Sequence, residues 1–356
     1  MSTGHKTKVW TRRQALGVMT GFTGSLALHA CTQQAQTSSS STRAAQSTEA
    51  ASTEAASATS GSTLWIGYTP LYIALEKGFF QEGGLKLDYK DFSSGNDANA
   101  AFGAGRLNGL SNVTSEVVTM AARGFDYRIV MAADNSLGGD GILTRNSIAN
   151  IKNFKGKQIA VEEGSVSHFF LLQVLQEAGL SANDVKITNV TPDAAAAAYQ
   201  AGRTDIAVTY SPFLQKANEA QKDGRIIYDT SKMPTAIVDV YLFNTKFVEA
   251  NPNATKAFVQ GIFKGINFLE TNKDEALAIA GKRLQLKPEE VEEQLKGVRL
   301  IDLPTNLEMI SNSQSDIYLL KHMNELSQFL TEQKQIPKAA DVSKVLDPRF
   351  LKEIQV

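Results

Sequence analysis

Apolar and polar positions along this chain fall into a strand–helix rhythm that is sharpest over residues 158–180. A short apolar run at residues 159–161 predicts a buried strand. The polar turn Glu162-Glu163-Gly164-Ser165 follows, and then Phe169, Leu172 and Leu175 recur at helical spacing. Ser165 or Ser167 is placed to cap that helix and Gly179 to end it. A strand that feeds a helix through such a turn leaves backbone N–H groups unpaired at the helix start, where a small ligand can be held. Every α/β protein has turns of this kind, so the stretch alone decides little.

The same plan occurs twice. In the first copy the pattern predicts a strand over 64–68, a helix over 71–82 closed by Gly83-Gly84-Leu85, and a strand over 86–89. A loop at Ser93-Ser94-Gly95, a helix ending Ala104-Gly105-Arg106 and a strand over 107–111 complete it. In the second copy the central helix ends Ala178-Gly179-Leu180, strands follow over 185–190 and 205–209, and the helix over 193–201 ends Ala201-Gly202-Arg203. Two βαβαβ units predict two lobes whose strand ends face each other across a cleft. Residues 127–133 read as a strand running into the polar, glycine-rich stretch 134–141. With the strand at 142–144, this marks the crossing between lobes. After an amphipathic helix to about Asp223 and a strand over 225–228, the apolar stretch 235–243 around Asp239 marks the return. From Pro252 the chain reads as helices over 254–270, 273–284, 288–297 and 306–332, with Pro252 and Pro288 where helix starts accept proline. The expected lobes are residues 64–142 plus 236–356, and residues 143–235. The alanine run 194–198 is helix filler.

Composition changes the picture at the amino terminus. Lys6, Lys8, Arg12 and Arg13, without an acid, precede an apolar and small-residue segment that ends Leu28-His29-Ala30-Cys31. Residues 1–30 read as a lipoprotein signal peptide and Cys31, the single cysteine, as the residue that carries the lipid. Thr11-Arg12-Arg13-Gln14-Ala15-Leu16 is similar to a twin-arginine signal, although Ala15 stands where that pattern prefers Phe, so both export routes stay open. Residues 31–63 are rich in Ser, Thr, Ala and Gln and read as a flexible, lipid-anchored linker. That arrangement implies a folded part of about 290 residues held at a membrane surface outside the cytoplasm. No later run of about 18 apolar residues reads as a span. The formal charge of −1 falls to about −5 without the four basic residues of the signal, and no basic patch suggests nucleic-acid binding.

Further motifs carry a family resemblance. Ile73-Ala74-Leu75-Glu76-Lys77-Gly78-Phe79-Phe80, Phe154-Lys155-Gly156-Lys157-Gln158-Ile159-Ala160-Val161, Gly164-Ser165-Val166-Ser167-His168-Phe169 and Tyr210-Ser211-Pro212-Phe213 stand in order, with Leu85-Lys86-Leu87-Asp88 after the first. In this the chain resembles the solute-binding proteins of ABC importers in the nitrate, sulfonate, taurine and thiamine-precursor branch (NMT1/THI5-like). The resemblance implies an α/β, type II periplasmic-binding-protein fold: two lobes that close on one small molecule at the hinge. It also implies delivery to a permease with a cytoplasmic ATPase, from a monomer that needs no cofactor.

By position in that family, the cleft is lined by residues 68–72, 93–97, 112–116, 134–141, 163–168, 210–213 and 235–241. Candidate contacts are the hydroxyl and amide groups of Thr69, Ser94, Asn112, Thr114 and Ser165, the rings of Tyr68, Tyr72 and Tyr210, and His168. With them stand the carboxylates of Asp134, Asp140, Glu163 and Asp239. The seven stretches hold no lysine or arginine. Two or more carboxylates facing such a cleft call for a cation, since unpaired like charges are costly to bury. Tyrosine faces suit a cation as well. The loops at 134–141 and 163–168 resemble a subset that accompanies guanidine-degrading and urea-carboxylase-type enzymes, which points to guanidinium. A small anion or zwitterion (nitrate, an alkanesulfonate, taurine) and a pyrimidine thiamine precursor stay open. Asp97, Glu116 and Asp140 have plainer readings as a cap, a solvated acid and a turn residue. His168 reads as a helix-start hydrogen-bonding residue; no metal-ligand spacing surrounds it. An enzyme of thiamine-pyrimidine synthesis is the competing class, but its cysteine-rich segment has no counterpart here.

Overall fold

The computed structural model describes residues 55–354; Cys31 and the signal segment lie outside them. The chain opens with β1 (Ala56–Thr63), a 3-10 turn at Ile66–Tyr68, α1 (Thr69–Lys77), α2 (Phe79–Glu82) and β2 (Leu85–Phe92). Next come α3 (Gly95–Gly103), β3 (Gly109–Val113), α4 (Thr114–Ala122) and β4 (Tyr127–Ser136). The chain then crosses to a second sheet with β5 (Asp140–Arg145), β6 (Gln158–Val161), α5 (Val166–Glu177), β7 (Lys186–Asn189), α6 (Pro192–Gln200), β8 (Ile206–Tyr210), α7 (Phe213–Ala220) and β9 (Gly224–Asp229). It returns through β10 (Val238–Asn244) to α8 (Thr245–Ala250), α9 (Pro252–Thr271), α10 (Lys273–Leu284), α11 (Pro288–Leu295), β11 (Val298–Leu300), α12 (Leu303–Ser311), α13 (Leu319–Glu332) and α14 (Arg349–Lys352).

One sheet runs β11-β4-β10-β3-β1-β2 and the other β7-β6-β8-β5-β9. The duplicated plan is visible in the pairing. β1 lies parallel between β2 and β3, and β6 lies parallel between β7 and β8. In each sheet the strand that has just arrived from the other lobe, β10 or β5, is added antiparallel beside the third strand. Each lobe therefore contains one strand whose preceding strand in the chain belongs to the other lobe, which ties both crossings into the sheets.

Several expectations are corrected. The first strand is β1, at residues 56–63, inside the stretch read as linker; residues 64–68 form a loop and a 3-10 turn. β1 escaped notice because it is built of small residues. Ala58, Ser60 and Ser62 are buried, and at Gly61 a Cβ would stand 2.7 Å from the Phe92 ring, so hydropathy is low although the strand is interior. The helix expected over 71–82 is interrupted at Gly78, whose left-handed backbone (φ 72°) ends α1 and starts α2. The helix expected over 306–332 is two helices separated by residues 312–318. There the Ser315 N–H bonds Asn312 C=O (3.0 Å) and the Tyr318 N–H bonds Ser315 C=O (3.2 Å), as turn-forming Asn, Ser and Asp favour. Sheet 2 begins at Asp140, two residues before the expected strand at 142–144 and three before the expected start of the second lobe at 143.

The core of the first lobe is aromatic. Phe258 of α9 stacks on Phe80 at 5.1 Å and meets Tyr241 and Phe243 of β10 edge-on at 5.3 and 5.0 Å. At the crossings, Ser136 and Thr230 share a hydroxyl hydrogen bond of 2.7 Å, and the Gly138 N–H donates to Thr230 Oγ1 at 2.8 Å. These bonds clamp the outgoing and returning segments to each other. Because β1 is central, a chain trimmed to begin at Leu64 is expected to lose cooperative thermal unfolding followed by circular dichroism. One beginning at Ser52 is expected to keep it. Equal melts for the two would refute an interior β1.

Candidate functional site

A central cavity of about 40 Å³ lies between the two sheets, lined by residues of both lobes. The first lobe contributes Thr63 at the end of β1, Trp65 after it, Tyr68, Gly95 at the start of α3, Asn112 and Val113 of β3, Glu116 of α4, and Ile237 and Asp239 at the return crossing. The second contributes Asp140 at the start of β5, Glu162, Ser165, Val166 and Tyr210. Most of these positions are carboxyl ends of parallel strands and the helix starts that follow them, where open α/β sheets leave a crevice; Asp140, Ile237 and Asp239 come instead from the amino ends of the antiparallel strands β5 and β10. No lysine or arginine lines the cavity among the described residues.

The acids are buried. Asp239 is 2 % exposed, Asp140 3 %, Glu162 4 %, Glu116 6 %, and Asp134, just behind the cavity wall, 0 %. Tyr68 donates its hydroxyl to Asp239 Oδ1 at 2.6 Å. Trp65 Nε1–H donates to both oxygens of Asp134, 3.1 Å to each. Asp140 Oδ2 and Asp239 Oδ2 are enclosed without a hydrogen-bond partner. Burial pushes the Asp140 carboxyl up to about 7 against the help of Ser136. Burial likewise pushes Glu116 up to about 7, with repulsion from Glu162 adding to it and bonds from Asn99 and Val166 opposing it. Asp134 and Asp239 are also raised, first by desolvation; for Asp239 repulsion from Asp134, Asp140 and Glu116 adds to it. The cavity is an electrostatically strained acidic pocket.

Of the residues singled out from sequence, Tyr68, Asn112, Asp140, Ser165, Tyr210 and Asp239 line the cavity. Ser94 reaches the same region by donating to Glu162 Oε1 at 2.5 Å. Asp134 supports from behind. The others are placed elsewhere. Thr69 is fully buried and donates to Ile66 C=O at 2.7 Å, and the Tyr72 hydroxyl exchanges bonds with the Trp65 backbone (3.2 and 3.1 Å), so both fix the turn that presents Trp65. Thr114 is fully buried away from the cavity lining. Glu163 is exposed, and its neighbour Glu162 is the acid that enters the cleft. His168 accepts the Gly164 N–H at Nδ1 (3.1 Å) and lines an adjoining cavity with Arg123. Burial lowers its pKa. Ser165 stands at the start of α5 but does not accept there; its hydroxyl donates to Glu162 C=O at 2.7 Å. Asp97 is capped by Ser94 rather than capping, and Glu116 is buried rather than solvated.

Trp65 and Glu162 are the residues that sequence reasoning missed. Trp65 sits edge-on to Tyr210 at 5.9 Å, joining the lobes through aromatic contact. Glu162 directly follows the strand β6 at its carboxyl end, and that position was the available signal. Trp65→Phe removes both bonds to Asp134 and leaves a buried carboxyl unpartnered. The expected loss is about 1–3 kcal/mol of stability in chemical denaturation, larger at pH 9, where Asp134 is ionised, than at pH 6. A loss that does not grow with pH would contradict the placement.

Residues 65–276 match the family described as NMT1/THI5 like. The chain is 31% identical over 292 residues to a Bacillus subtilis (strain 168) protein named for aliphatic sulfonate binding, covering 80% of this chain and 84% of that one. It is 27% identical over 289 residues to the taurine-binding periplasmic protein of Escherichia coli (strain K12), covering 77% and 86%. Among solved structures, the alkanesulfonate-binding protein SsuA from Xanthomonas axonopodis pv. citri, bound to MOPS, superposes with a TM-score of 0.68 at 19% identity, over 83% of this chain and 99% of that one. The fold is that of the periplasmic binding proteins.

Proposed function

We propose that this chain, which belongs to the NMT1/THI5-like family, is the extracytoplasmic solute-binding component of an ABC importer, and that its solute is a small cationic nitrogen compound, guanidinium fitting best. The role of binding and delivery without chemical conversion is supported by the names of the relatives and by the two-lobed fold. A permease with its ATPase is the implied partner. Attachment to the membrane through a lipid on Cys31 rests on the sequence pattern alone.

The observation that carries the ligand class is the pair of enclosed oxygens, Asp140 Oδ2 and Asp239 Oδ2, without a partner in a cavity that no lysine or arginine lines. Buried carboxylates without donors are costly, and a cation with N–H groups in its plane supplies both charge and donors. The rings of Trp65, Tyr68 and Tyr210 offer faces to such a cation. Size agrees. At roughly 10–15 Å³ per enclosed water, a cavity of about 40 Å³ admits a solute of only a few heavy atoms. The second reading, a small anion or a zwitterion such as taurine, is favoured by the names of the relatives. For a zwitterion, the ammonium end would take the place of the guanidinium.

Calorimetric titration with guanidinium, taurine, methanesulfonate, nitrate and urea tests the proposal. Guanidinium is expected to bind, and Asp140→Asn or Asp239→Asn to weaken it by about 2 kcal/mol or more, roughly thirtyfold. Binding of taurine or methanesulfonate with none of guanidinium would overturn the cation reading.

A pH dependence follows. The folded, ligand-free protein keeps protons on Asp140 and Glu116 up to about pH 7, whereas the unfolded chain releases them near pH 4. The native state therefore binds more protons than the unfolded state between these values. The contribution to stability is complete below about pH 4 and is lost as pH rises through about 7. Ligand-free melting temperature is expected to fall from pH 5.5 to pH 8 on this account. Stabilisation by millimolar guanidinium is expected to grow over the same range, since a cation needs ionised carboxylates. Thermal melts at both pH values, with and without guanidinium, check this; stabilisation that is equal or larger at pH 5.5 would count against it.

A further inference from the structure

The starts of α3 and α5 belong to different lobes, and both are engaged by carboxylates of the chain itself. Glu162, from the second lobe, accepts at Oε1 from three groups at the start of α3: Ser94 Oγ at 2.5 Å, Asn96 Nδ2 at 3.0 Å and the Asn96 backbone N–H at 3.4 Å. Glu116, from the first lobe, accepts at Oε1 from the Val166 backbone N–H at the start of α5, 3.1 Å away. Its Oε2 accepts from Asn99 Nδ2 of α3 at 2.6 Å. Gly95 leaves room for it, since a Cβ there would stand 3.0 Å from Oε1 and 3.1 Å from Oε2. The arrangement is reciprocal: each lobe sends one acid to the helix start of the other, and both acids line the central cavity.

We infer that Glu116 and Glu162 are the residues that bar anionic solutes from this cleft, by serving as built-in anions at the helix starts that close over it. The inference rests on the reading of the cavity as the solute site and gives that site its charge selectivity. A helix start offers free N–H groups and a positive dipole end, which is where an anion gains most. Here those groups already hold carboxylates. An incoming sulfonate would have to displace them and would still face their charge in a poorly solvated space, whereas a cation meets neither obstacle. The same bonds link the lobes directly, so the acids also favour the closed arrangement.

The test compares Glu116→Gln and Glu162→Gln with the unaltered full chain, by titration with methanesulfonate and with guanidinium. Glutamine keeps the shape and an accepting oxygen while removing the charge. Each variant is expected to raise the ratio of methanesulfonate to guanidinium affinity at least tenfold, and the double variant further. An unchanged or lowered ratio in both single variants overturns the inference, whatever the unaltered chain binds. If the unaltered chain takes methanesulfonate and not guanidinium, the solute reading fails by itself, and the ratio still decides the role of the two acids. Should a variant lose its cooperative melt, the unaltered chain decides. The groups around Glu116 that carry or gain charge are Glu162, Asp239, Arg123 and His168. Lowering the pH from 8 to 6 neutralises Glu116 together with Asp140 of the same cavity, and is expected to raise methanesulfonate affinity several-fold in the unaltered chain and by less in Glu116→Gln. No gain on acidification would likewise overturn the inference.

Discussion

Five carboxyl groups share one desolvated space between two lobes, and among the described residues no basic side chain lines the cavity beside them. The cost of burying them, to which mutual repulsion adds, is the constraint on which the rest of the site depends. Some of it is met by donors placed with care: Tyr68 for Asp239, Trp65 for Asp134, the α3 start for Glu162, the α5 start for Glu116. Some is left over on Asp140 and Asp239. On the reading proposed above, a cation would supply what the site lacks by itself, and its binding and the closure of the lobes would become one event.

The architecture explains why acids from distant parts of the sequence meet. Asp134 lies on β4 just before the outgoing crossing, Asp140 opens β5 just after it, and Asp239 lies on β10 at the return. Each crossing strand is stitched antiparallel into a sheet, Asp239 opposite Val113 and Asp140 opposite Tyr210. The hydroxyl pair Ser136–Thr230 clamps the two crossings together. The same segments that connect the lobes therefore carry three of the buried acids.

Much of this was legible from residue pattern. The duplicated βαβαβ plan, both crossings and most C-terminal helices follow from hydrophobic periodicity and from Gly and Pro punctuation. The aspartates at the crossings stood out because they border or interrupt apolar runs. What was not legible has a common cause. β1 is hidden because its interior position selects small polar residues over large apolar ones. In the turn Glu162-Glu163 two adjacent acids give no sign of which one points inward until the end of β6 is fixed. Thr69 and Tyr72 sit in the expected loop, yet their hydroxyls are consumed in holding the Trp65 turn.

The sequence by itself determined that there are two similar α/β units, and that the stretches 134–141 and 235–241 hold acids without compensating lysine or arginine. These are properties of composition and local period, which survive without three-dimensional information. Only the tertiary structure decided which acids share a cavity, which oxygens remain unpartnered, and that Glu116 and Glu162 each reach the opposite lobe's helix start. Those facts depend on the direction of individual side chains across an interface between segments about 50–70 residues apart in the chain, and no local pattern encodes such directions.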